Sequence, residues 1–557
     1  MKKLVRPTAF AAVAVLAAIV AGQATAAPAT PAYKSPPHYK GPKFKEPKLK
    51  HGLLKIKGTN EDDKITLRLK TGDPGTLEVD VGDDGSADFS FRRAYVERID
   101  VKARGGDDLV RIDESNGVFT DTIQTKLDGG NGIDNLIGGS GVETFLGGGG
   151  NDSMDGNRGN DIARMGAGED TFIWDPGDGN DTIEGQQGND TMRFNGANVA
   201  ETVDVSANGH RLRFFRQPGN VLMDTNEVER VDFNALGAAD VVNVNDLAGT
   251  DVTAVNVDLA STLGGTAGDG AADQVIVNGS NGNDNITVNA DASVSGLQAL
   301  VAIQHPEAAD KLTVNGLGGN DSISAAALAT QLIGLTLDGG RGNDTLAGSQ
   351  VLETLLGEDG NDSIDGNRGN DTAFMGSGDD TFTWDPGDGN DRIEGQDGND
   401  RMRFNGANVA EQVDVSANGP RLRFFRQPGN VLMDTDDVER VDFNALGAAD
   451  VITVNNLAGT DVNAVNLDLA GTLGGNAGDG AADQIIVKAS DGDDTISVSG
   501  DTATGVRVSG LAATVGILHS EAADRLDINT LLGNDTVNAG GLAAGAIQLF
   551  VDGVAVP

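Results

Sequence analysis

Acidic side chains recur at nine-residue intervals in this chain. Asp134, Glu143, Asp152, Asp161 and Asp170 hold the sixth place of five units that run without a gap from Gly129: GGNGIDNLI, GGSGVETFL, GGGGNDSMD, GNRGNDIAR and MGAGEDTFI. After the insert Trp174-Asp175, Asp181 and Asp190 keep that place in PGDGNDTIE and GQQGNDTMR. The array recurs 210 residues later, from GGRGNDTLA at Gly339 to GQDGNDRMR, and supplies Asp344, Asp362, Asp371, Asp380, Asp391 and Asp400, with Glu353 in the irregular unit GSQVLETLL. The consensus is G-G-x-G-x-D-x-U-x, with U apolar. Carboxylates and the carbonyls of tight turns are hard oxygen donors; about six to eight of them, flexibly arranged, suit Ca2+, whereas Mg2+ demands a smaller octahedron. Calcium is the cation that this spacing predicts.

Such donors need a particular backbone. The first six residues of a unit make a turn whose positive-φ positions favour glycine, and the last three make a minimal strand with one inward apolar residue, Met154 in GGGGNDSMD. Carboxylates on adjacent strands lie on the order of 5 Å apart, about 3 kcal/mol of repulsion per neighbouring pair at an effective dielectric of ~20. One inward residue contributes roughly 1.5–3 kcal/mol, and ordering nine residues costs at least ~9 kcal/mol. A stack of bare aspartates therefore needs its backbone ladders and a cation together.

Composition agrees. The chain has 84 acidic against 41 basic residues, a net charge of −43, 79 glycines and no cysteine. This excludes a nucleic-acid binder, a disulfide scaffold and thiolate chemistry, and makes cations the expected partners. Lys2, Lys3 and Arg6, an apolar run from Ala9 to Ala21 and the small residues Ala24-Thr25-Ala26 predict a cleaved signal peptide over 1–26 and a secreted, extracellular bacterial protein. Residues 27–57, proline-rich with eight lysines, are expected to form a disordered tether. Beyond it the expected order is a β module at 58–128, the first nonapeptide block at 129–193, β modules at 194–338, the second block at 339–403 and β modules at 404–557. Phe194–Ala260 differs from Phe404–Ala470 at nine of 67 positions, the mark of an internal duplication.

The nonapeptides resemble the hemolysin-type, or RTX, calcium-binding repeat. The resemblance covers about 65 residues in each block and implies a right-handed parallel β-roll in which units two apart stack and share calcium. It would place Asp134, Asp152 and Asp170 in one column with Glu143 and Asp161 in the other, then Asp344, Asp362 and Asp380 opposite Glu353 and Asp371. The insert leaves the columns of Asp181, Asp190, Asp391 and Asp400 open. Val351 stands where glycine is expected, which weakens Glu353 as a ligand, and Met165, Met375, Pro176 and Pro386 replace the first glycine of their turns. The fold class expected is all-β, a right-handed parallel β-roll or β-helix solenoid carrying two such blocks.

Other residues offer less. Single Gly/Asp turns at Asp62, Asp107, Asp284, Asp321, Asp494 and Asp535 read as calcium sites or ordinary corners, and Asp80–Asp88 reads as a hairpin turn rather than an EF-hand. Trp174 and Trp384 could stack on a sugar ring, but a capping role in the solenoid is the expectation. Arg211, Arg213, Arg216 and their copies Arg421, Arg423, Arg426 could hold an acidic polysaccharide, but pairing to the acidic body is expected. None of the five histidines sits in H-E-x-x-H, and a nucleophile elbow and a P-loop are lacking, so no catalysis is expected. The reading is a secreted calcium-binding protein, structural or adhesive, that folds on calcium after export, with cell-surface or extracellular polysaccharide as candidate partner. The alternative is a polysaccharide-active, lyase-like β-helix.

Overall fold

The structure, a computed structural model, describes residues 33–34 and 44–556; the expected signal peptide lies outside them. Among the described residues there are strands, turns and a single 3-10 turn at Arg93–Tyr95. The chain coils as a flattened parallel β-roll solenoid. Successive short strands alternate between two sheets, and each pairs in parallel with the strand one full coil later.

In the first block Leu136, Met154, Phe172 and Met192 lie in register on one sheet, and Leu127, Phe145, Ala163 and Ile183 on the other. All eight are fully buried. One inward residue per unit, facing its counterpart from the opposite sheet, thus builds a thin continuous core. The second block repeats this with Leu346, Ile364, Phe382 and Met402. Flanking residues face outward, the period-two alternation of a strand.

Antiparallel detours interrupt the coil at regular places. Thr202–Asn208, Arg211–Gln217 and Val221–Asn226 form a three-stranded meander inside one sheet, from which Thr202–Val205 resumes parallel pairing with Val241–Val244. Gln412–Asn418, Arg421–Gln427 and Val431–Asp436 do the same in the second copy. In the opposite sheet, Asn285–Val288, Val294–Ser295 and Leu300–Gln304 make a smaller detour. Hairpins also close one of the two sheets at both ends of the described stack: Lys45–Lys50 against Leu53–Lys57, and Gln548–Val551 against Val554–Ala555.

The first of these hairpins corrects the expected tether over Lys45–Lys57; residues 27–32 and 35–43 of it lie outside the described residues. Leu54 and Ile56 are buried, and Leu53–Lys57 runs parallel to Arg98–Lys102 as the first rung of its sheet. The alternation of apolar Leu54 and Ile56 with Lys55 and Lys57 is a strand pattern that the lysine content masks.

The meander brings aromatic rings inward. Trp174 stacks on Phe194 with centroids 4.0 Å apart and planes 7° from parallel, and Phe194 meets Phe214 at 4.5 Å. Trp174 is fully buried, its Nε1–H donates to the carbonyl of Gly179 at 2.9 Å, and Trp384 repeats the arrangement. These rings fill the wider coil where three antiparallel strands enter the sheet. Truncating such a ring leaves a cavity costing about 3–5 kcal/mol. Trp174→Ala is expected to lower the stability of the calcium-loaded protein to urea by about that amount, and Trp384→Ala by the same; an effect under 1 kcal/mol would mean the stack is not a packing element.

Candidate metal centre

Each turn places its sixth residue at the rim of the solenoid, just before the inward strand residue. The carboxylate cannot reach water there. Asp134, Asp152, Asp161, Asp170, Asp190 and Glu143 are 0–2 % exposed. One carboxylate oxygen finds a regular partner: the backbone N–H of Asp134 donates to Asp152 Oδ1 at 2.8 Å, that of Asp152 to Asp170 at 2.7 Å and that of Asp170 to Asp190 at 2.9 Å. On the other rim, Glu143 N–H donates to Asp161 at 2.6 Å and Asp161 N–H to Asp181 at 2.8 Å. The second block gives Asp344 to Asp362 to Asp380 to Asp400, and Glu353 to Asp371 to Asp391, at 2.6–3.0 Å. Both expected columns form, and the two-residue insert, which sends Trp174 into the core and exposes Asp175, leaves the winding unchanged, so that Asp181 and Asp190 extend separate columns.

The other oxygen has no hydrogen-bond partner. This holds for twelve of the thirteen predicted ligands: Asp134, Glu143, Asp152, Asp161, Asp170, Asp190, Asp344, Asp362, Asp371, Asp380, Asp391 and Asp400; Asp181 is the exception. A buried orphan oxygen on a charged group is costly unless a cation compensates it. The turns leave room beside it. A methyl group added at Gly147 would lie 2.5 Å from Asp152 Oδ2 and against the carbonyl oxygen of Met165 in the next coil. At Gly357 the same point meets Asp362 Oδ2 at 2.6 Å and the Met375 carbonyl. Glycine at the first place keeps free a point where a carboxylate oxygen and a carbonyl of the next coil converge. Positive φ at Gly148 (115°) and Gly150 (125°) aims the rest of the turn. Hard oxygens converging beside these glycines fit Ca2+.

Glu353 behaves differently from its counterpart Glu143. The Ser349 hydroxyl donates to Glu353 Oε2 at 2.5 Å and the Ser349 N–H occupies Oε1, whereas Glu143 keeps Oε1 unpartnered. The irregular unit at Val351 thus supplies its own donor in place of a cation.

Burial sets the protonation of the columns. Desolvation, opposed by the rung N–H and reinforced by neighbouring carboxylates, pushes Asp152 up to about 7, Asp161 to about 9, Asp362 to about 7 and Asp371 to about 8.

The columns run further than the nonapeptides. Asp63 N–H donates to Asp108 and Asp108 N–H to Asp134; Asp321 N–H donates to Asp344; Glu201, Asp240, Asp273 and Asp310 form their own ladder, as do Glu411, Asp450, Asp483 and Asp524. Of the single turns expected, Asp321 is buried, Asp284, Asp494 and Asp535 are half-buried, and Asp62 and Asp107 are exposed. In those two DD pairs the rung is the second residue, Asp63 or Asp108. An acid two places before an inward apolar residue (Asp63 before Ile65, Glu201 before Val203, Asp240 before Val242) is the sequence signal that finds every one of these rungs.

The remaining candidates are structural. Asp73–Val81 and Phe89–Arg92 pair antiparallel around the Asp80–Asp88 loop, so that segment is a hairpin. Arg211 bonds Glu184 and Asp224, Arg213 bonds Asp204, and Arg216 forms a buried pair with Glu201; Arg421, Arg423 and Arg426 repeat these pairs. His305 and His519 bond Asp258 and Asp468 at 2.7 and 2.6 Å. Asp436, Asp437 and Asp461 bring ligand atoms within 4.8 Å of one another, with Arg421 3.1 Å from Asp436 as an internal counter-ion.

Comparison with known proteins follows the same boundaries. Residues 128–163, 137–172, 177–198, 336–350, 353–382 and 387–408 match the RTX calcium-binding nonapeptide repeat. Among solved structures, the chain is similar to the extracellular lipase LipA from Serratia marcescens at 16 % identity and a TM-score of 0.12, over 61 % of this chain. It spans 42 % of the lipase's length. No curated protein matches the chain.

Because the folded columns bind more protons than the unfolded chain, their contribution to stability is complete below the ordinary carboxylate pKa and is lost as pH rises from about 4 towards about 7–9. Calcium-free protein is therefore expected to be compact near pH 4.5 and to expand near pH 8, where calcium restores compaction. Small-angle scattering across this range checks it; a calcium-free chain equally compact at both pH values would refute the buried-charge account.

Proposed function

We propose that this chain, whose two blocks carry RTX calcium-binding repeats, is a secreted calcium-dependent scaffold with a structural or adhesive role. The observation that carries the reading is the stack of buried carboxylate oxygens left without donors beside glycine cradles. The ligands are Asp134, Glu143, Asp152, Asp161, Asp170, Asp181 and Asp190 in the first block and Asp344, Asp362, Asp371, Asp380, Asp391 and Asp400 in the second. Bound calcium would neutralise adjacent carboxylates and so permit stacking; the chain's own part is to position them through the rung N–H groups and to exclude water by burial.

Export fits this chemistry. The basic, apolar and small-residue segments of 1–26 have the composition of a leader, and calcium is scarce inside cells and plentiful outside, so the blocks fold after crossing the membrane. Anything that binds only the folded state stabilises it by mass action. The meander arginines Arg211, Arg213 and Arg216 are tied to carboxylates, so none of these three is free to act as the base of a polysaccharide lyase.

Circular dichroism of the mature chain in EGTA and then in millimolar calcium is expected to report gain of β structure; identical spectra would sink the proposal. Asp152→Asn, which keeps the size but removes the charge, is expected to raise the calcium midpoint by roughly tenfold, the effect of losing one charged ligand contact worth about 1.4 kcal/mol. Incubation with pectate and alginate is expected to release no unsaturated product, and absorbance from such a product would overturn the non-enzymatic reading.

A further inference from the structure

The outer face of one sheet carries a groove, away from both rims. It encloses about 410 Å³, within the range of small-ligand sites of about 300–1,000 Å³. Its floor is two rows of outward side chains in register on successive coils: Arg193, Asp232 and Asn256 in one, Asn195, Asn234, Asp258 and Gln304 in the other. Leu263 and Gly264 overhang it. Their loop holds its own shape, with Ser261 N–H donating to Ala267 at 3.0 Å and Gly265 N–H to Thr262 at 2.8 Å.

Hydrogen bonds on the floor leave a specific set of groups unused. The amide nitrogen of Asn234 donates to Asn195 at 2.7 Å and that of Asn256 to Asp232 at 2.8 Å, so both residues keep an amide oxygen without a donor. Arg230 Nε takes Asp232 at 2.6 Å. Arg193 donates no hydrogen bond to any described residue; its one ion pair, to Asp232, is a loose 3.8 Å contact, and its side chain is 44 % exposed. Two guanidiniums thus share one carboxylate, in contrast to the meander arginines, each of which donates to a carboxylate at 3.0 Å or less. The groove offers a spare planar cation, a row of acceptors and an apolar rim.

We propose that this groove binds a carboxylated sugar polymer, with Arg193 taking the uronate carboxylate, the Asn234 and Asn256 oxygens and Asp258 Oδ2 (Oδ1 being held by His305 and the Ala260 N–H) accepting from ring hydroxyls, and Leu263 covering an apolar ring face. Arginine matches a planar carboxylate bidentately. Rungs of a parallel sheet repeat about every 4.8 Å, so an extended chain of rings laid across the coils meets Arg193 on one coil and the amide and carboxylate acceptors on the next ones. The second copy keeps Arg403, Asn444, Asn466, Asp468 and Leu473, but Leu518 replaces Gln304, and Arg401, standing in place of Thr191, reaches Asp442 at 3.6 Å. It is the poorer of two such grooves.

The assignment deepens the adhesive role proposed above by naming its partner. The test uses the full mature chain in calcium, with circular dichroism recording its folded state before calorimetric titration with short oligogalacturonates, neutral cello-oligosaccharides and inorganic phosphate. Binding of the oligogalacturonate alone is expected. Arg193→Gln is expected to weaken it roughly tenfold or more, with part restored by Arg193→Lys, while Arg213→Gln, outside the groove, leaves it unchanged. No oligogalacturonate binding, equal binding by Arg193→Gln, or preference for phosphate or the neutral sugar would overturn the assignment. Spectra that do not respond to calcium would instead overturn the folding proposal, and the titration reads the groove in either case.

Discussion

Everything in this solenoid depends on stacking like charges. A parallel roll with one inward residue per strand can coil only if each turn repeats at the same height, and here each repeat carries an acid at the same rim position. The rung N–H groups satisfy one oxygen of each carboxylate and hold it against its neighbour; the second oxygen stays buried and bare. On the function proposed above, folding is conditional on whatever removes the charge, a proton or a divalent cation. Glycine at the first place of a turn belongs to the same constraint, since any side chain at Gly147 would fill the space beside Asp152.

The chain solves the problem differently where the repeats lapse. At Glu353 a serine hydroxyl and N–H occupy the carboxylate. At Glu201 and Glu411 a guanidinium enters from the antiparallel meander and forms a buried pair. These rungs carry internal counter-ions, and they lie beside the meanders whose aromatic rings widen the core. Bare oxygens are nonetheless not confined to the blocks: Asp63, Asp108, Asp240, Asp321 and Asp450 each keep one, and so do Glu201 and Glu411 beside their guanidiniums.

Much of this was legible in the residues. Strand alternation specifies the all-β class, because period is a property of short windows, while the parallel roll and its two columns were implied by the resemblance of the nonapeptides to the RTX repeat. What the repeat consensus hid was the wider rule. Asp63, Asp240 and Asp450 are rungs without glycine-rich turns, found only by their place two residues before an inward Ile65, Val242 or Ile452. Reading Asp62 and Asp107 as the turn acids slipped by one residue, which in a strand inverts the face. Lys45–Lys57 read as a tether because lysine content outweighed the alternation of Leu54 and Ile56. The groove at Arg193 could not be read at all: its groups lie on four coils, and the register joining them depends on the length of the meander between Asn195 and Asn234.

The hairpins that close one sheet of the described stack also set how these rods behave in a crowd. A parallel solenoid ends in open strand edges, the usual template for edge-to-edge aggregation. Here one end folds back as Lys45–Lys50, with lysines along an antiparallel strand, and the other as the short Val554–Ala555. Neither edge repeats the spacing that a further coil would need. Among the described residues the opposite sheet ends differently: its last strand, Thr536–Leu542, pairs on one side only, so any end-to-end contact between rods is channelled to that one strand.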